Sequence, residues 1–114
     1  MIEFTIPAVP PSLNAWSRKH WSVRRREAEK WKLLVQHHSY GLIPWMKPPK
    51  HLVVTLEFRL PRGGDADNRA KFVLDGLVHA EVIADDGPPY LYELRLRSVR
   101  GKPAETRVMV ERAI

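Results

Sequence analysis

One segment constrains this chain more than any other. From His51 to Leu60, the residues Leu52, Val54, Leu56, Phe58 and Leu60 alternate with Val53, Thr55, Glu57 and Arg59. A period of two puts the first set on one side of a pleated ribbon and the second on the other, which predicts a strand with its core on one face. Gly63 and Gly64 end it. The period then changes: Ala70, Val73, Leu74 and Leu77 recur at helical spacing, behind Asp67 and Asn68, either of which suits a helix N-cap. A strand followed by a glycine turn and a helix places whatever lies at the turn above the end of a sheet.

The other elements follow by the same arithmetic. Ile2, Phe4 and Ile6 alternate with Glu3 and Thr5 as far as Pro7, predicting a short strand, and Pro10, Pro11 and Asn14 make a loop. From about Ser22 to Tyr40, Ala28, Trp31, Leu34, Val35 and His38 fall at spacings of three and four with Gly41 as a stop, which predicts a helix. The prolines at 44, 48 and 49 deny the backbone the donors of helix or ladder, so that stretch is a connection. After the turn signal Asp85-Asp86-Gly87-Pro88-Pro89, two alternating segments appear. In the first, Tyr92, Leu94 and Leu96 oppose Glu93, Arg95 and Arg97; in the second, Thr106, Val108 and Val110 oppose Arg107, Met109 and Glu111. Gly101-Lys102-Pro103 is expected to join them as a hairpin. The order β-α-β-α-β-β predicts an α+β fold, a single small mixed sheet with two helices, forming one domain over residues 1–114.

Composition narrows the chemistry. The chain has no cysteine, so disulfides, thiolate zinc sites and cysteine nucleophiles are excluded, and any metal must be held by oxygen or imidazole. No apolar run is long enough to span a bilayer, so no membrane partner is expected. The opening Met1-Ile2-Glu3-Phe4 lacks the pattern of a signal peptide, and a cytoplasmic location is the expectation. Nineteen Lys and Arg against thirteen Asp and Glu give a net charge of +6, which favours a polyanion such as nucleic acid. The charge is uneven. Arg18, Lys19, Arg24, Arg25 and Arg26 gather near the N-terminus, whereas Asp65, Asp67, Asp75, Asp85 and Asp86 share one stretch.

Asp65 and Asp67 flank the turn into the second helix, so both carboxylates can face one volume, and Asp67, Lys71 and Asp75 recur every four residues along one stripe. Crowded carboxylates repel unless a cation neutralises them, and Mg²⁺ or Mn²⁺ does so with oxygen ligands and retained waters. Such an ion can activate water for phosphodiester hydrolysis. The plainer reading is that these acids cap a helix and solvate a turn. A calcium loop of the EF-hand type is excluded, because Ala70 occupies its required glycine position and Gly76 its bidentate glutamate.

The run Asp65-Ala66-Asp67-Asn68-Arg69-Ala70-Lys71-Phe72-Val73-Leu74-Asp75-Gly76-Leu77, followed by Val82-Ile83-Ala84-Asp85-Asp86, resembles the D-x-D-N-x-x-K-x-x-x-D-x-L and I-x-D-D pattern of the RusA-type Holliday junction resolvases. Pro10-Pro11-Ser12-Leu13-Asn14 resembles their N-terminal P-P-S-x-N motif. The resemblance implies a homodimeric, Mg²⁺-dependent endonuclease, with Mn²⁺ as a possible substitute, that resolves four-way DNA junctions by paired symmetric nicks in recombination and repair. Carried over by position, it makes Asp65, Asp67 and Asp86 the metal ligands, Asp75 and Asp85 supporting acids, and Lys71 the cation at the scissile phosphate. Asn14, Arg18, Lys19, Arg24, Arg25, Arg62 and Arg69 are the expected DNA contacts. Val53, Met109 and the N-terminal tryptophans are the expected sources of an apolar dimer surface. The sequence departs from the family in Gly63-Gly64, where bulkier or more basic residues are expected. The alternatives are a non-catalytic module that binds structured DNA and a metal nuclease acting on another branched nucleic acid.

The remaining aromatic and imidazole residues fit structural roles. Trp31 lies on the apolar helix face and belongs in a core, and Trp45 among prolines packs over an edge. Trp16 and Trp21 flank a basic segment, where they either stack on unpaired bases or pack in a core or dimer contact. Adjacent His37 and His38 face apart on a helix and are given no catalytic role.

Overall fold

The computed structural model describes residues 1–113, and Trp16 by its backbone alone. The elements in chain order are β1 (Ile2–Ile6), α1 (Leu13–Ser17), α2 (Trp21–Ser39), β2 (Leu52–Leu60), α3 (Asp67–His79), β3 (Leu91–Arg100) and β4 (Glu105–Arg112). This is the expected small α+β fold, one mixed sheet with helices, plus a short helix within the stretch expected to be loop. Five residues are too few to show a hydrophobic period. Local bonds support α1 instead: Ser12 Oγ accepts the Ala15 N–H at 3.3 Å, and Ser17 Oγ donates to the Asn14 carbonyl at 3.0 Å. Among the described residues, no helix is long and apolar enough to cross a membrane.

The sheet has the order β1-β4-β2-β3, with β2 parallel to β3 and antiparallel to β4. The hairpin expected across Gly101-Lys102-Pro103 does not form, because β2 lies between β3 and β4. A strand–helix–strand crossover brings β3 back parallel to β2, so β4 can pair with β2 only along its other edge. The connection passes over the end of β2, where the Gly101 N–H donates to the Leu60 carbonyl at 3.0 Å. The turn signal was a reversal of direction, which does not require the reversed strands to be neighbours. The register between β2 and β3 shifts at Leu52/Val53, leaving Tyr92 out of the pairing and exposed instead of beside Leu94 and Leu96.

Helices cover one face. Ile2, Phe4, Ile6, Leu52, Val54, Leu56, Phe58, Val108 and Val110 pack with Trp31 and Val35 of α2 and with Ala70, Val73 and Leu77 of α3. The two helices meet at Gly76, where an added Cβ would stand 2.6 Å from Val35 Cγ2, so only glycine permits the approach. Across the open face run charged pairs: Arg107 with Glu3 and Glu57, and Arg59 with Glu105 at 2.7 Å. Val53, expected to face outward as a dimer surface, is only 5% exposed. Its strand is central, and its cross-strand partners Glu93 and Glu111 flank it on both sides. Met109 is half-buried on the same face.

Candidate active site

The chain leaves β2 through a turn in which the Gly63 N–H donates to the Leu60 carbonyl at 3.2 Å. Gly64 explains the departure from a bulkier residue: its φ is +148°, and a Cβ there would meet Leu60 Cδ1 at 3.0 Å. Asp65 and Asp67 follow, both exposed. The cap position belongs to Ala66, which supplies no side-chain bond, so neither Asp67 nor Asn68 is the N-cap. Asp67 Oδ1 accepts the neighbouring Asn68 N–H at 2.9 Å, and Asn68 Nδ2 reaches Asp65 Oδ2 at 3.5 Å. Asp67 therefore serves the helix end from its first turn and not from the cap position, and both carboxylates stand at the positive end of a helix dipole.

Asp67, Lys71, Asp75 and His79 lie one helical turn apart along α3. Lys71 Nζ is 3.5 Å from Asp75 Oδ2, with both side chains largely exposed, an i, i+4 pair of modest strength. At the far end, Glu81 has φ +61°, and the Val82 and Ile83 N–H groups both donate to the Leu77 carbonyl, at 2.9 and 3.4 Å. Val82 and Ile83 are fully buried, and this anchors the turn from which Asp85 and Asp86 emerge. The Asp86 N–H donates to Asp85 Oδ1 at 2.8 Å.

These residues frame a cleft of about 360 Å³ lined by Lys32, Asp75, Val78, His79, Asp85 and Asp86. The structure thus brings Asp75, Asp85 and Asp86 together, while Asp65, Asp67 and Lys71 lie outside that lining. Asp67 and Asp75, eight residues apart on one helix, are separated by about 12 Å along its axis. Among the described residues, no three His, Asp or Glu side chains converge tightly enough to cage a cation. The donors are nonetheless of the right kind, since Mg²⁺ takes oxygen ligands and commonly keeps several waters beside one or two carboxylates. His79 was given no role from sequence; the signal for it is its spacing of four from Asp75.

The expected DNA contacts divide by exposure. Asn14, Arg18, Lys19, Arg25 and Arg62 are exposed, whereas Arg24 and Arg69 are half-buried. Arg69 Nη1 donates to the Pro10 carbonyl at 2.5 Å in a half-buried position. Trp21 is exposed, and the role expected of the Trp16 side chain lies outside the described residues. Trp31 is core and Trp45 packs half-buried against it. His20 was not anticipated: its Nδ1 accepts the Ser22 N–H at 3.2 Å and opens α2. His37 and His38 touch edge to face, with ring centroids 5.0 Å apart. Burial, and secondarily the neighbouring His37, holds His38 below the usual histidine pKa. No family model matches the chain, and no curated protein matches it.

Proposed function

We propose that this chain is a Mg²⁺-dependent endonuclease that resolves four-way DNA junctions, similar to the RusA-type resolvases, acting in recombination and repair in the cytoplasm. The observation that carries the reading is the state of the motif acids. Asp65, Asp67, Asp85 and Asp86 are all exposed around α3 and the turn beyond it, and among the described residues none is paired with a Lys or Arg. Their hydrogen bonds leave oxygen lone pairs open to a cation: Asp67 and Asp85 each accept the N–H of the next residue, and Asp65 accepts the Asn68 amide.

In this reading Asp65, Asp67 and Asp86 would hold the ion, with Asp75 and Asp85 supporting them, which requires the turn that carries Asp65 and Asp67 to approach the cleft lined by Asp86. When bound, Mg²⁺ would polarise the phosphodiester and lower the pKa of the attacking water. Lys71, exposed on the same stripe, reaches toward the scissile phosphate when DNA displaces its pairing with Asp75. Asn14, Arg18, Lys19, Arg25 and Arg62 seat neighbouring phosphates, and Arg24 adds to the same positive field. A junction must be nicked on two strands, so two chains act together as a homodimer, one acidic site facing each strand.

The test is cleavage of labelled four-way junction, duplex and single strand with and without Mg²⁺, on protein whose assembly is measured by sedimentation. The expected result is paired nicks in the junction alone, with Mg²⁺ or Mn²⁺, from a dimer. Metal-independent binding without any cut favours the non-catalytic module, and cutting of flaps or RNA in preference favours another branched substrate.

A further inference from the structure

Arg69 lies in the first turn of α3, two residues after Asp67, and its half-buried side chain turns back onto the chain. Nη1 donates at 2.5 Å to the carbonyl of Pro10, fifty-nine positions away in sequence. Nε is buried without a partner. Nη2 lies 3.6 Å from the point where a Cβ on Gly64 would stand. The guanidinium is therefore bonded to the 7–12 segment that leads into Asn14 and lies close to Gly64 in the 61–66 segment that carries Asp65. Each loop also has a side-chain tie to the sheet: Thr106 Oγ1 donates to the Ala8 carbonyl at 2.8 Å, and Ser98 Oγ donates to the Gly64 carbonyl at 2.6 Å. Those two bonds hold each loop to a different strand. Arg69 links the loops to one another.

We infer that Arg69 is a positioning residue that locks the Pro10–Asn14 segment against the Asp65–Asp67 turn, and that it is not a DNA phosphate contact. The inference rests on the nuclease reading only for its catalytic consequence; the tie itself concerns the free protein. A planar guanidinium suits this place because it donates along one edge while its flat face allows the glycine backbone to lie close. Lysine keeps the charge but offers a compact point donor with no plane, so it satisfies a phosphate and fails as a spacer between loops. Gly64 belongs to the same device, because a side chain there would crowd both Leu60 and the guanidinium.

The experiment compares Arg69→Lys and Arg69→Gln with Arg62→Gln, a change at an exposed arginine of the same turn. In the free proteins, amide hydrogen exchange should accelerate about tenfold in residues 8–15 and 63–68 together for both Arg69 variants, with β2 and β4 unchanged. Acceleration in only one loop, or in neither, overturns the tie. On four-way junction, the slope of log affinity against log salt should stay at the wild-type value for both Arg69 variants and fall by about one phosphate's share for Arg62→Gln. Cleavage by Arg69→Lys should need several-fold more Mg²⁺ for half-maximal rate. If Arg69→Lys cuts as wild type does and Arg69→Gln lowers the salt slope, Arg69 is a phosphate contact and the inference is wrong. A wild-type protein that never cuts defeats the nuclease reading, and the exchange result still judges the tie.

Discussion

The two ends of α3 carry acids of the same kind and hold them by different physics. At the N-terminal end, Asp65 and Asp67 sit on an exposed turn secured by a few polar bonds, from Ser98 to Gly64 and from Arg69 to Pro10. At the C-terminal end, Asp85 and Asp86 follow Val82 and Ile83, which are buried completely and donate their N–H groups to Leu77. A polar tie contributes on the order of 1 kcal/mol, whereas a buried isoleucine side chain contributes several. The polar ties of the first end can therefore be altered without loosening the fold, whereas the buried anchor of the second cannot. The contrast can be pressed from either end.

The largest effect is expected on catalysis. Asp65→Asn, Asp67→Asn and Asp86→Asn each remove a negative charge without removing volume, at exposed positions. Cleavage of four-way junction should fall to background in all three, while chemical denaturation shifts by no more than about 0.5 kcal/mol, the usual range for surface changes. A variant that retains full activity takes its residue out of the metal shell. Mixed dimers of wild-type and Asp65→Asn chains should nick one strand and leave the junction unresolved.

Ile83→Ala attacks the other end. It deletes a side chain with no exposure at all, so stability should drop by about 2–5 kcal/mol in a urea titration. Junction cleavage should fall as well, since Asp85 and Asp86 lose their anchor. If activity survives such a loss of stability, the buried turn does not set the position of these acids, and the contrast between the two ends fails.

Lys71 lies between the ends and gives a finer test. Its pairing with Asp75 is an exposed i, i+4 contact, so Lys71→Ala should change stability by only about 0.3–0.5 kcal/mol. Any substantial slowing of cleavage must then come from the phosphate and not from the helix. An unaltered rate leaves Lys71 as a partner of Asp75 and nothing more.

How much of this was legible follows the range of each interaction. β2 and α3 could be read because their periods of two and 3.6 run through consecutive residues, and Trp31 fell on the apolar face that it does occupy in the core. Where partners come from afar, the pattern was silent. The burial of Val53 depends on β2 having a neighbour along each edge, which alternation along one strand does not specify. The turn after α3 carries no glycine, because Glu81 takes the left-handed conformation itself and the buried Val82 and Ile83 hold it there. At the candidate site, the acids were visible as a motif, but their division into a cleft group around Asp75, Asp85 and Asp86 and a separate turn group was not. Arg69 read as one more basic residue; only the 59-residue reach to Pro10 sets it apart from Arg62.

The smallest effect acts through α2, which meets α3 at Gly76 and contributes Lys32 to the cleft that Asp85 and Asp86 line. His38, in its last turn, is half-buried and titrates below the ordinary histidine value, mainly because burial disfavours its charged form and secondarily because of His37. The unfolded chain takes up this proton at a higher pH than the folded one. Stability from the neutral ring is thus fully present above the unfolded value of about 6.5 and is lost as pH falls through it toward the folded value. His38→Gln should flatten that part of the stability profile between about pH 7 and pH 5, measured by urea denaturation at fixed ionic strength. Because His38 is not among the residues that line the acidic cleft, the same variant should cut junction DNA at the wild-type rate at pH 8. A loss of cleavage there would mean that the two ends of α3 are coupled through α2, and the separation of chemistry from stability at the N-terminal end would no longer hold.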